Sequence, residues 1–161
     1  MTAWQLRRAT VDDLDAIMTI ETTVFGTDAW SRSIMRAELA DRHGYYLVAF
    51  PPSEPARVEA YAGLRAPRGE PQADIQTIAV SESARRQGLG RVLMLSLIAE
   101  ARERGATEVF LEVRADNPGA QALYVSLDFE ELAVRPKYYQ PDGVDAIVMR
   151  HTIRPSGVVP A

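Results

Sequence analysis

The chain has no cysteine and two histidines in 161 residues. The absence of thiols excludes disulfides, a cysteine nucleophile and a thiolate-bound metal. His43 and His151 lie far apart and fit neither H-x-x-x-H nor H-E-x-x-H. No metal site is therefore expected, and each reads as a surface or loop histidine. No run of roughly 18 apolar residues occurs, and the opening M-T-A-W-Q-L-R-R carries no apolar signal core. We expect a cytoplasmic protein without a membrane partner. A basic excess is also lacking. The formal charge of −4 argues against direct nucleic-acid binding and is compatible with a basic peptide or amine.

What is present is ordinary for a globular chain: 47% apolar and 25% charged residues, over a length that suits one domain with a sizeable core. We place that domain at residues 1–153 and expect the tail, 154–161, to be disordered. Strand-like and helix-like stretches follow one another throughout, which indicates an α/β chain of the mixed-sheet (α+β) kind.

The stretch from Asp74 to Arg91 is the most informative. Ile75–Val80 is apolar and β-branched and reads as a buried strand. A polar turn leads to Arg85-Arg86-Gln87-Gly88-Leu89-Gly90-Arg91, and helical spacing follows at Leu89, Val92, Leu93, Leu97 and Ala101, stopped by Gly105. Two glycines thus stand where the chain enters a helix. Glycine tolerates positive φ and close backbone approach, and the first N–H groups of a helix have no partner within it. With the helix dipole and the arginines, these groups suit a phosphate or pyrophosphate. The plainer reading is a tight turn beside solvated arginines. Neither G-K-[ST] nor a third glycine follows, so this is not a P-loop or a G-x-G-x-x-G site.

Around this centre, Trp4–Ala9 reads as a strand, and Thr10 caps a helix with Leu14, Ile17, Met18 and Phe25 inward. Ser31 caps a second helix through Leu39. Tyr45–Phe50 and Val58–Leu64 make an antiparallel pair. Glu108–Arg114 completes a βαβ unit with the central strand, so those two strands should be parallel. Glu112 is out of place there, on the face shared with Phe110 and Arg114. Such a carboxylate must be paired, hydrogen-bonded or open to a cleft. It is either in a salt bridge, with Arg114 or another basic group, or a general base facing a substrate channel. Asn117 caps the last helix with Pro118 at its first position and Ala120, Leu123, Tyr124 and Leu127 inward. Tyr124 fits a core aromatic or a phenol reaching a polar partner. Trp30, in a loop, is a core plug or a cleft wall. Phe129–Val134 and Ala146–Thr152 close the sheet, with Tyr138-Tyr139 in the loop between them.

The spacing R-x-x-G-x-G from Arg85 to Gly90, after a strand ending I-A-V, resembles the acetyl-CoA signature of the GNAT N-acetyltransferase superfamily. The order of elements over residues 4–152 is similar to that fold. The resemblance implies a central mixed, mostly antiparallel sheet with a splayed parallel pair, flanked by about four helices. L-E-V-R at Leu111–Arg114, Asn117, A-L-Y-x-S-L-x-F at Ala122–Phe129, the Tyr138-Tyr139 pair and D-A-I-V-M at Asp145–Met149 resemble the RimI family within it. That family acetylates the N-terminal alanine of a ribosomal protein, the eighteenth of the small subunit.

The resemblance implies acetyl-CoA as co-substrate and no metal. Ile78, Ala79 and Val80 would hold the acetyl-pantetheine arm. Arg86, Gln87, Gly88, Leu89, Gly90 and Arg91 would cradle the pyrophosphate, with Asn117 contacting the cofactor. Glu112 matches the general base and Tyr124 the general acid of a direct transfer. Glu21, Trp30, Tyr138, Tyr139 and Asp145 are the expected acceptor walls. Asp128 stands where the family has a turn glycine, and aspartate tolerates the left-handed region there. Two alternatives stay open: the same chemistry on a protein lysine or small-molecule amine, and a non-catalytic acetyl-CoA sensor.

Overall fold

Local capping signals start three of the four helices. A computed structural model describes residues 4–154, so the expected disordered tail lies, Arg154 apart, outside the described residues. The Thr10 hydroxyl accepts from Asp12 N–H, and the Asp13 carboxylate accepts from Thr10 N–H at 2.9 Å. This reciprocal cap opens a short turn, Val11–Asp13, that runs into α1 (Leu14–Phe25). Ser31 Oγ accepts from Ile34 N–H at the head of α2 (Arg32–Ala40), and Asn117 Oδ1 from Ala120 N–H at the head of α4 (Pro118–Ser126). The remaining helix, α3 (Leu89–Glu103), begins on Gly88 at φ 75° with no side-chain cap.

The strands are β1 (Gln5–Arg8), β2 (Gly44–Phe50), β3 (Ala60–Arg65), β4 (Gln72–Val80), β5 (Glu108–Arg114), β6 (Phe129–Tyr139) and β7 (Val144–Thr152). They form one sheet in the order β1-β2-β3-β4-β5-β7-β6. The β4/β5 pair is parallel and the other neighbours are antiparallel, as a βαβ crossover through α3 requires. This is the expected mixed sheet with four helices.

Period-two alternation divides the core between the two faces. Leu47, Ala49, Ala60, Ala62 and Leu64 pack with Leu93, Met94 and Leu97 of α3 on one side. Tyr46, Val48, Tyr61 and Ala79 pack with Leu14, Ile17 and Met35 of α1 and α2 on the other. Tyr46 lies flat over Gly63, where a Cβ would come within 2.1 Å of the ring.

Two features position the site. β4 and β5 share three residue pairs, Gln72↔Glu108, Ala73↔Val109 and Asp74↔Phe110, and then diverge. On its other edge β4 carries a bulge: Gly63 pairs with Thr77 and Leu64 with Ile75, leaving Gln76 as the extra residue. A bulge bends its strand and increases local twist, so β4 leaves β5 as it follows β3.

Two expectations change. The tyrosine pair belongs to β6, which continues past Val134 to Tyr139 with irregular pairing after Glu131 and after Arg135. Its place at the sheet edge admits Pro136, because a proline there removes no shared ladder bond. Expected as a surface or loop histidine, His151 sits half-buried on β7; its Nδ1 is 2.8 Å from the Leu127 carbonyl oxygen and its ring packs on Phe129. Asp128 takes φ 67°, as its left-handed turn demands.

Gly63→Ala forces the Tyr46 ring out of place and lowers unfolding free energy by about 1–3 kcal/mol, read from urea denaturation. Asp13 has a carboxyl lowered chiefly by its two bonds from Arg7, with Thr10 N–H adding to them against burial. A lowered folded-state value means that its stabilisation is complete above about pH 4 and is lost as pH falls through the folded value. Asp13→Asn therefore costs about 1 kcal/mol at pH 7, and the difference from wild type shrinks in melts below about pH 4.

Candidate active site

The divergence of β4 from β5 opens a cleft of 1330 Å³ through the middle of the sheet. One wall is the free edge of β4. Ser81 N–H donates to the Glu59 carbonyl at 2.8 Å, so the 59–81 pair is hydrogen-bonded and Ala60↔Val80 is of the other kind. Alternation along an antiparallel ladder then turns the N–H and C=O of Val80 and Ile78 away from β3, into the cleft. The same alternation commits the backbone of Ala79 to β3, and its side chain is buried against α1 and α2.

Val80 and Arg85 also border a second cavity, of 450 Å³, lined by Arg86, Gly88, Leu89, Gly90, Arg91 and Leu123. Here α3 presents its first N–H groups without a side-chain cap. A Cβ on Gly88 would meet nothing within 4 Å, so the glycine serves its positive φ and leaves open space in front of the helix. Arg91 is steadied by a bond to Ser126 Oγ at 2.9 Å. The Gln87 side chain turns away and accepts from Trp4 Nε1 at 2.9 Å. An uncapped helix N-terminus beside arginines can hold a di-anion, and the cradle continues directly into the cleft.

The facing wall carries the titratable groups. Glu112 is 30% exposed, and its nearest cation is Arg135 at 3.8 Å. Arg114 is not its partner; that guanidinium is engaged with three aspartates. Tyr124, 7% exposed, lines the cleft while its ring packs on Phe129. Burial, then the neighbouring Tyr139, pushes its phenol up to about 12. Tyr139 is pushed up to about 12 by burial and then by the Glu112 carboxylate, and Tyr138 is raised by the same two causes. Asp74, at the end of the β4/β5 ladder, is raised by desolvation of its carboxyl and by Glu112, against Arg65. The phenols thus stay protonated beside a carboxylate that faces open space.

Of the expected acceptor walls, Glu21, Trp30, Tyr138 and Tyr139 line the cleft. Glu21 is 1% exposed. It accepts from Trp30 N–H at 2.8 Å and from the Tyr61 hydroxyl, which burial and this carboxylate keep protonated. Glu21 therefore holds the loop that carries Trp30, and Trp30 is both wall and partial core. Asp145 is elsewhere: its Oδ1 accepts from Lys137 N–H at 2.9 Å and steadies the irregular end of β6. Asn117 joins the cleft, with its Oδ1 committed to the α4 cap. Asp28, Asp74, Thr77, Arg114, Arg135 and Asp142 also line the cleft and were not singled out from sequence. Asp74 alone carried a local signal, a charge opening an apolar strand.

The chain matches the model of the acetyltransferase (GNAT) family over residues 12–129. It belongs to that family. The GNAT chain is 37% identical over 127 residues to the N-alpha-acetyltransferase RimI of Mycobacterium tuberculosis, covering 78% of this chain and 77% of that protein. It matches the crystal structure of the ribosomal-protein-S18-alanine N-acetyltransferase from Escherichia coli with TM-score 0.83 and 30% identity, over 98% of this chain and 99% of that one. Arabidopsis thaliana NAA60 in complex with acetyl-CoA shares the GNAT fold, with TM-score 0.84 at 16% identity over 94% and 99% of the chains. The chain spans 38% of the length of an uncharacterized Mycobacterium leprae relative, 35% identical over 141 residues. Among the described residues no helix is long and apolar enough to cross a membrane.

Glu21→Ala removes the acceptor of the buried Tyr61 hydroxyl, which costs about 1–3 kcal/mol when left unpaired, and of the part-buried Trp30 N–H. The variant should melt well below wild type, and Tyr61→Phe, which leaves Trp30 N–H bonded, should melt in between.

Proposed function

We propose that this GNAT domain, spanning residues 1–153, transfers an acetyl group from acetyl-CoA to the N-terminal α-amine of a protein. The substrate is the N-terminal alanine of ribosomal protein bS18. The observation that carries the reading is the gap between β4 and β5, with the Ile78 backbone and the Val80 N–H turned into it on one side (the Val80 carbonyl accepts from Arg85 Nε at 3.1 Å) and Glu112 and Tyr124 lining the same cleft. The likeness to the M. tuberculosis N-alpha-acetyltransferase and the E. coli ribosomal-protein-S18-alanine N-acetyltransferase supports the acceptor class.

The residues fit acetyl-CoA. The uncapped α3 N-terminus and the space before Gly88 suit a pyrophosphate, and the outward N–H and C=O of Ile78 and the N–H of Val80 suit an amide-bearing arm. Arg86, Gly88, Leu89, Gly90 and Arg91 hold the pyrophosphate end, with Asn117 on the opposite wall. Bound there, acetyl-CoA supplies an activated thioester carbonyl. Glu112 faces the cleft with Arg135, 3.8 Å away, as its ion partner and takes the proton of the incoming ammonium, directly or through water. An α-amine has a reference value near 8, so releasing its proton to solvent at pH 7 costs only about 1.4 kcal/mol, and Glu112 serves to relay it. Val80 N–H points into the gap and can meet negative charge growing on a carbonyl oxygen.

Tyr124 remains protonated at working pH because its phenol lies near 12. The same burial makes it a weak acid. With a thiol reference of about 8.5, complete transfer runs uphill even to the fully formed thiolate. Tyr124 therefore works as a hydrogen-bond donor that stabilises charge on the departing sulfur as the C–S bond breaks, and the released thiolate takes its proton from solvent. Trp30, Tyr138 and Tyr139 wall the acceptor side.

The test is release of CoA thiol with acetyl-CoA and a hexapeptide beginning Ala-Arg, against its N-terminally blocked, lysine-containing counterpart. The free peptide should be the substrate, and equal acetylation of the blocked one would overturn the α-amine assignment. Glu112→Gln and Tyr124→Phe should each lose about 10²-fold or more in turnover. With Tyr124 near 12, deprotonation of that residue causes no loss of rate below about pH 10. An alkaline loss there that Tyr124→Phe abolishes would contradict the assignment.

A further inference from the structure

We infer that Arg114 is a positioning residue that latches the α1–α2 loop to the β6–β7 loop beside the acceptor end of the cleft, fixing the width of the acceptor slot. The inference rests on the acetyltransferase reading and concerns the same site. Arg114 is the last residue of β5, on the strand face that also carries Glu112. Its Nη1 donates to Asp28 Oδ2, from the turn after α1. Its Nε and Nη2 donate to Asp116 Oδ1 and Oδ2 at 2.9 and 3.1 Å, in the turn before α4. Nη2 also donates to Asp142 Oδ2 at 2.9 Å, between β6 and β7. The guanidinium carbon lies 5.1 Å from the centre of the Tyr139 ring.

Four of the five guanidinium N–H donors are thus committed to carboxylates from three separate loops. The partners lie 86 and 28 residues away in sequence for Asp28 and Asp142, so local chain stiffness does not bring them together. The bonds are unequal. Asp116 and Asp142 are half exposed, and such pairs are worth little singly. Arg114 and Asp28 are 21% and 15% exposed, so their attraction is less screened. Gln121 Nε2 donates to the Arg114 and Ala115 carbonyls at 3.0 and 3.1 Å and fixes the backbone from which the side chain projects.

The latch joins the two acceptor walls. Asp28 is two residues from Trp30, whose N–H is already held by Glu21. Asp142 is three residues from Tyr139, on which Arg114 stacks. Releasing the guanidinium leaves the Trp30 loop tied at Glu21 alone and frees the Tyr139 loop from it. One arginine among three aspartates also leaves two negative charges in excess beside the cleft, which favours a cationic chain end. Lysine cannot replace this fork, because a single ammonium does not address three carboxylates in a plane.

Arg114→Met and Arg114→Lys in the full chain test the latch. Hydrogen exchange in Arg114→Met should rise in both Gly26–Trp30 and Gln140–Val144, while the amides of α3 and β4 keep wild-type protection. With the Ala-Arg hexapeptide, the acceptor KM should rise about tenfold, the factor one hydrogen bond to a charged group is worth. The calorimetric Kd for acetyl-CoA should stay at the wild-type value. Arg114→Lys should resemble Arg114→Met rather than wild type. Unchanged exchange in either loop, a parallel weakening of acetyl-CoA binding, or full rescue by lysine would each overturn the inference. Wild type that binds acetyl-CoA but does not turn over the peptide would count against the proposed acceptor, and loop exchange would then decide the latch by itself.

Discussion

β4 and β5 are held together by three residue pairs, and the site exists because the ladder stops there. Each strand is claimed on its outer side. β5 pairs with β7 along seven residues, and β4 follows β3 around the bulge at Gln76. With both strands committed elsewhere, the ladder cannot continue past Asp74↔Phe110. Opening a sheet in its middle exposes backbone polar groups, which are costly to bury unpaired. They are tolerated here because the cleft is open to water and offers them to a ligand. The core beneath does not break, since α3 bridges strands on its face of the sheet.

Charge is distributed unevenly along this opening. The α3 end offers helix N–H groups and arginines, while the far end gathers Asp28, Asp74, Glu112 and Asp142 around two arginines, Arg114 and Arg135. An anionic group and a cationic group are therefore drawn to opposite ends of one cleft. Between them stand phenols that burial keeps neutral. They supply hydrogen-bond donors without adding to either charge. Under the proposed function, such a gradient would orient the two reactants toward each other before any side chain takes part in bond making.

The parts legible in the sequence were those with local causes. Thr10, Ser31 and Asn117 cap their helices within three residues, so short windows suffice to find them. Glu112 was conspicuous because a charge interrupts a central strand, and Gly88 because a helix begins on it. What escaped has causes far away in the chain. The length of the β4/β5 ladder depends on a bulge facing β3. The partner of Arg114 sits 86 residues earlier, so adjacency on β5 suggested Glu112 in its place. Tyr138 and Tyr139 looked like loop residues because Pro136 and the irregular register hide the alternation of an exposed edge strand. Asp145 looked like a wall and instead braces the backbone at Lys137.

The two ends of α3 are finished differently. Its C-terminal residue neighbour, the buried Arg104, donates to the carbonyls of His43 and Ala66 and to Glu100, which suits the negative pole of the helix. Its N-terminus has no such provision from side chains. Under the proposed function that cap is completed by the acetyl-CoA pyrophosphate, and folding and binding are then thermodynamically linked. An anion bound to the folded form alone, at a hundred times its Kd, adds about 2.7 kcal/mol of stability. On that proposal, the stability of the folded chain depends on the supply of its ligand as well as on its sequence.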